Sequence, residues 1–156
     1  MKCFCIVTIF ISVCFFSVSC NNKKQDNNTV ESTAILRGIE RAEIENTNEW
    51  IVILPGLGCP GCIQEGEAFM QQFIDSTKVF FVLTKIESLK ILQQKIGKSL
   101  KERKNIYIDN QGIFDIPTDN SIYPCILQLK DGKIVKHQFQ SPTNSQAFEW
   151  LKTQLE

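Results

Sequence analysis

The chain carries no net charge to offer a polyanion. Its 156 residues hold 17 Lys and Arg against 17 Asp and Glu, a formal balance of zero. Nothing therefore favours nucleic acid, whose phosphates call for a basic excess. Histidine occurs once, as His137, and no second Cys-x-x-Cys accompanies the one at Cys59 and Cys62. The paired ligand sets of zinc ribbons are thus missing. Gly56-Leu57-Gly58 lacks the lysine and the glycine spacing of a phosphate loop. No internal repeat is visible. The length excludes a large multidomain enzyme and fits one domain with a tail. What is present is 43% apolar residues with 22% charged, enough to build a core, and seven cysteines, an unusual number for this length.

Three of the cysteines, Cys3, Cys5 and Cys14, lie in an almost wholly apolar stretch from Cys3 to Ser19 that follows Met1-Lys2. A bilayer-spanning helix needs about 20 apolar residues. This stretch is slightly shorter and fits the hydrophobic core of an export signal. Ser17-Val18-Ser19-Cys20 then gives way to a polar run from Asn21 to Asn28, and no acidic residue precedes Asp26. Small residues before a cysteine at the end of an apolar run resemble a bacterial lipoprotein signal, with Ser17 standing where that family usually has an aliphatic residue. The resemblance implies loss of the signal peptide 1–19 and a lipid on Cys20 that holds the protein to a membrane. It also implies a bacterial cell-envelope location, facing the periplasm or the surface. An uncleaved anchor or plain secretion are the alternatives. Residues 20–32 read as a flexible tether and 33–156 as the folded domain. An exported chain meets an oxidising compartment, where disulfides persist.

Within the domain, Thr33-Ala34-Ile35-Leu36 suits the start of a strand or of a helix equally. Trp50-Ile51-Val52-Ile53-Leu54 is an unbroken apolar run stopped by Pro55-Gly56, the pattern of a strand buried on both faces. Past Cys62 the period changes. Cys62, Gly66, Phe69, Met70, Phe73 and Ile74 recur at helical spacing with polar residues between them. Val79 to Leu83 is a second buried strand. Ile86, Leu89, Leu92 and Ile96 mark a second helix that stops at Gly97, and Asn105 to Asp109 is a third strand. Cys125 to Lys130, Asp131-Gly132 and Lys133 to His137 form a hairpin. Ser141-Pro142 reads as the cap and first residue of a last helix, with Ala147, Phe148, Leu151 and Leu155 on one face. The lysine-rich segment Lys98 to Lys104 reads as a solvated loop. Strands alternating with helices predict an α/β fold with a mixed sheet covered on both faces.

The dithiol Cys59-Pro60-Gly61-Cys62 lies directly between a buried strand and an amphipathic helix. A cysteine at a helix start meets unpaired N–H groups and the positive end of the helix dipole, which favour its thiolate. A second cysteine one turn on is placed to resolve a mixed disulfide. With Tyr123-Pro124 leading into the hairpin, these residues resemble the thioredoxin-like family of thiol-disulfide oxidoreductases, over roughly Trp50 to Glu156. The resemblance implies a thioredoxin-like three-layer sandwich, with Cys59 as nucleophile and Cys62 as resolving thiol. It also implies Pro124 as a cis-proline opposite the dithiol and Tyr123 as a substrate-facing residue. Protein disulfides or dithiols would be the substrates, with a redox partner protein to recharge the site. No cofactor is needed beyond the redox-active dithiol. The chain departs from the thioredoxins proper in three places. It has Pro-Gly rather than Gly-Pro between the cysteines, Gly58 in place of a Trp, and Ile53 in place of a buried acid.

Several alternatives stand beside that resemblance. Cys125 reads as a small buried hydrophobe, as a third redox thiol, or as a soft-metal ligand joining Cys59 and Cys62 in a Cu- or Zn-binding protein. Pro124 also suits an ordinary trans-proline opening a strand, and Tyr123 a surface aromatic. His137 reads as a solvent-facing strand residue.

Overall fold

The two unbroken apolar runs become interior strands of a five-stranded sheet. In the computed structural model, which describes residues 26–45 and 48–156, all six residues of β1 (Trp50–Pro55) and of β2 (Val79–Thr84) are buried. The two strands pair in parallel, Ile51 level with Phe80 and Leu54 with Leu83. β3 (Ile106–Asp109) extends the parallel half beyond β2. β4 (Cys125–Lys130) and β5 (Lys133–Phe139) lie antiparallel on the other side of β1, giving the order β3-β2-β1-β4-β5. Parallel neighbours need crossovers, and α2 (Pro60–Phe73) and α3 (Leu89–Ile96) supply them.

Alternation along β1 divides the core. Trp50, Val52 and Leu54 pack with Phe69 and Met70 of α2, Leu92 and Ile96 of α3, and Phe148 and Leu151 of α4 (Ala147–Leu155). Ile51 and Ile53 point the other way, toward Phe114, Ile116 and the residues Ile35 and Ile39 of α1 (Asn27–Arg41). The chain is therefore a three-layer α/β sandwich with a mixed central sheet and helices on both faces, consistent with a thioredoxin-like fold. Local signals act as expected at several ends. Ser88 accepts the Ile91 N–H at the start of α3, and Gly97 closes it in the left-handed region at φ 71°. Asp131 and Gly132 both take positive φ in the β4–β5 turn. Trp50 and Trp150 meet edge to face at 5.4 Å.

Two boundaries differ from the sequence reading. The ambiguous segment after Val30 is helical, and α1 starts at Asn27, so residues 27–32 of the expected tether are folded. Composition misses this because the anchor is polar: Glu31 is buried among partners far along the chain. At the other end, Ser141-Pro142 does not open α4. The Ser141 hydroxyl lies 3.1 Å from Thr143 Oγ1, and Ser141 bridges Asn144 through the backbone. Gln146 stands at the N-cap without a side-chain bond, and the buried Gln140 instead accepts the Phe148 N–H through its Oε1 at 3.2 Å. The signal segment 1–19 and Cys20 lie outside the described residues. Among the described residues no helix is long and apolar enough to cross a membrane.

Phe69 is the hub of the α2 layer, stacked on Phe73 at 4.6 Å and Phe148 at 4.9 Å and tilted against Phe81 at 6.2 Å. Phe69→Ala is expected to lower the urea-unfolding free energy by about 3–5 kcal/mol. A loss under about 1 kcal/mol would show that α2 is not held by this ring.

Candidate functional site

β1 carries the dithiol to the carboxyl edge of the parallel strands. Its last residue is Pro55, after which the Gly56 N–H donates to Thr84 O at 2.8 Å. A side chain at Gly56 would meet Lys85 O at 2.6 Å, so the loop passes tightly over the end of β2. Gly58 takes φ +148°, and a Cβ there would strike the Ile122 backbone, with Ile122 Cα at 2.8 Å. Glycine at 58 thus lets the loop lie against the 3₁₀ turn Asp119–Ile122.

Cys59 is the N-cap of α2 in extended conformation, and Pro60 occupies the first helical turn, where its missing N–H is harmless. The Cys59 N–H donates to Ile122 O at 3.1 Å, and its carbonyl accepts the Ile63 N–H at 2.9 Å. Cys59 and Cys62 are joined as a disulfide, with Cα atoms 5.4 Å apart. Cys59 is half-buried, whereas Cys62 is only 7% exposed. No side chain caps the start of α2 and no acidic residue lies in its first turn. In the reduced protein a Cys59 thiolate would have those amides without a competing anion.

Sequence-expected residues gather only in part. Ile122 touches the dithiol loop, and Tyr123 and Pro124 follow it directly into β4. Among the described residues there is no cis peptide bond, so Tyr123–Pro124 is trans, against the expected cis-proline. The 3₁₀ turn already brings the chain to Cys59. Tyr123 then leaves it extended, at φ −110° and ψ 145°, as a residue before proline prefers. Pro124 is buried and accepts the Gln140 N–H at 2.9 Å. Cys125 is a free thiol, fully buried and opposite Ile53 in the β1–β4 register. Burial pushes its thiol well above the ordinary value, and the Glu31 carboxylate adds to the shift. Cys125 is thus kept protonated, which does not suit a third reacting sulfur. Among the described residues no three His, Cys, Asp or Glu side chains gather as metal ligands.

Sequence reasoning missed a buried polar cluster behind the turn. Glu31 of α1 is only 3% exposed. Its Oε1 accepts from Thr118 Oγ1 at 2.5 Å and Asn120 Nδ2 at 2.8 Å, and its Oε2 lies 3.0 Å from His137 Nε2. A carboxylate can only accept, so His137 Nε2 carries the proton there. His137 Nδ1 faces Ser32 Oγ at 3.3 Å. His137 was expected to face solvent, but its side chain is 6% exposed because this carboxylate draws it inward. No local signal marks the cluster, since Glu31's partners lie 87, 89 and 106 positions away.

Two large apolar side chains stand exposed beside the dithiol. Leu57 and Ile122 are 50% and 42% exposed. A groove of about 270 Å³ runs beside Pro60, lined by Leu57, Ile63 and Glu67 among others. The larger cavity, about 390 Å³, opens by Ile44, Phe80 and Tyr107 near the amino ends of the strands, away from the dithiol. Compared with family models, curated proteins and solved structures, the chain matches none.

Burial alone would raise the Glu31 pKa, but bonds from Thr118, His137 and Asn120, with the His137 charge, hold it below its ordinary 4.5. A carboxyl lowered by folding adds stability above its unfolded value and loses it as pH falls through the folded one. Urea unfolding at about pH 7 and about pH 3 is expected to show a larger acid loss for the wild type than for Glu31→Gln. Equal losses in the two proteins would remove Glu31 as a source of acid sensitivity.

Proposed function

We propose that the chain is an exported thiol-disulfide oxidoreductase acting on protein substrates, tethered to a bacterial envelope membrane by a lipid on Cys20. The observation that carries this reading is the asymmetry of the dithiol. Cys59 is half-exposed at an uncapped helix start, and Cys62 is buried one turn behind it. Beside Cys59 the exposed Ile122 and the partly exposed Tyr123 offer side-chain surface against which a substrate peptide can lie.

In the reducing direction the Cys59 thiolate attacks one sulfur of a substrate disulfide. A Cys59–substrate bond forms, and the other substrate sulfur leaves as a thiolate and takes up a proton. The Cys62 thiol gives up its proton and attacks the Cys59 sulfur. The substrate's second sulfur is released, and the Cys59–Cys62 disulfide is left. Two electrons have passed from the dithiol to the substrate. The dithiol of a redox partner protein restores the reduced site by the same exchange, and no organic cofactor takes part. In the oxidising direction every step reverses. The thiolate is favoured by the first-turn amides of α2.

Insulin reduction with dithiothreitol is expected to be accelerated by the protein and to fall to the uncatalysed rate in Cys59→Ser. Undiminished activity in that variant would remove Cys59 as nucleophile. After reduction, pH-dependent alkylation should place the Cys59 pKa well under the free-thiol value of about 8.5. An unshifted value would favour a structural bridge.

A further inference from the structure

The bond between Cys59 and the 3₁₀ turn needs a turn that stays in place, and the turn has few apolar contacts of its own. None of Asp119, Asn120, Ser121 and Ile122 is buried. What fixes it from behind is polar. Thr118, which caps the turn by accepting the Asn120 N–H at 3.3 Å, also donates to Glu31. Asn120 donates its side-chain amide to the same oxygen, and its carbonyl accepts the Tyr123 N–H at 3.0 Å. One buried oxygen of Glu31 thus holds the first half of the turn whose last residue presents Ile122 O to Cys59. The other oxygen is held by His137 of β5 at 3.0 Å. Glu31 stands 87 or more positions from each of these partners, on a helix that supplies nothing else to the dithiol loop in the bonds described.

We propose that Glu31 is a positioning residue for the dithiol: its carboxylate clamps Thr118 and Asn120, and through them sets the Ile122–Tyr123 backbone against Cys59. The inference rests on the reading of Cys59 as the reacting sulfur and of Tyr123 as substrate-facing. Glu31 touches neither sulfur nor substrate and acts through the turn. Its buried charge is tolerable because both oxygens are satisfied. All three of its partners donate, and Gln offers them one accepting oxygen and no charge, so the clamp is weakened even though the side chain keeps its size.

The test compares amide hydrogen exchange in the oxidised full chain, held in detergent, for the wild type and Glu31→Gln. The Cys59 and Tyr123 amides are expected to exchange about tenfold faster in the variant, beyond any change in the Ile53 and Val82 amides, which report the body of the sheet. Thr118→Val and Asn120→Ala, each removing one bond to Glu31, should raise the same two amides by less. They keep the test open if Glu31→Gln does not fold. If Cys59 and Tyr123 change only in step with Ile53 and Val82 in every variant that folds, Glu31 serves general stability and the proposal is overturned. In insulin reduction, Glu31→Gln is expected to raise KM about tenfold and more than it lowers kcat, since docking rather than sulfur exchange is disturbed. A fall in kcat with KM unchanged would overturn the positioning role. If the wild type reduces no insulin, the oxidoreductase reading fails, while the exchange measurement still decides whether Glu31 holds the turn.

Discussion

The arrangement depends on one backbone bond, the Cys59 N–H donating to the carbonyl of Ile122. It ties the loop after β1 to the turn before β4, at the edge where those paired strands end and begin. The pairing of those strands makes the meeting unavoidable. With Ile53 opposite Cys125, continuing the antiparallel register brings Tyr123 level with Pro55 and Ile122 level with Gly56. Three residues beyond Gly56 the helix must begin, so Cys59 falls beside the turn. Gly58 completes the approach, because any side chain there would occupy the space of the Ile122 backbone.

The same frame gives chemically similar thiols different characters. Cys59 sits at the mouth of a helix, half in solvent, with nothing anionic in the first turn. Cys125 sits in the apolar layer between β4 and α1, without exposed surface and within reach of the field of Glu31. Desolvation and a neighbouring negative charge both oppose a thiolate there. Position in the sandwich, rather than residue type, sets which sulfur is accessible to solvent. That is why Cys125 reads best as a small hydrophobe even though it follows Pro124 directly.

Much of this was legible in the sequence because it is written in local patterns. The unbroken runs of β1 and β2, the helical spacing after Cys62, the stop at Gly97 and the Asp131-Gly132 turn each need only a few neighbouring residues to be read. The dithiol was legible for the same reason. What escaped depends on contacts between distant positions. α1 lacks a local cap, since Asp26 makes no side-chain bond to it, and its helicity is secured by Ile35 and Ile39 packing on β1 and by the buried Glu31. His137 lies on a strand whose neighbours are largely exposed, and only a carboxylate on another element turns it inward. The cis expectation at Pro124 came from the family resemblance. Here a 3₁₀ turn delivers the chain to Cys59 with an extended, trans link instead.

The folding of residues 27–32 also bears on how a tether would act. Glu31 lies near the start of α1 and bonds to the turn beside Cys59, while Asn28, one turn earlier, lies beside Ile134, Val135 and Lys136 of β5. Six residues, 21–26, separate Cys20 from Asn27, and even fully extended they reach no more than about 25 Å. With the lipid of the proposed function on Cys20, that span is comparable to the diameter of the domain itself. The domain as a whole would then be held within that reach of the membrane surface, and its clients would have to meet it there.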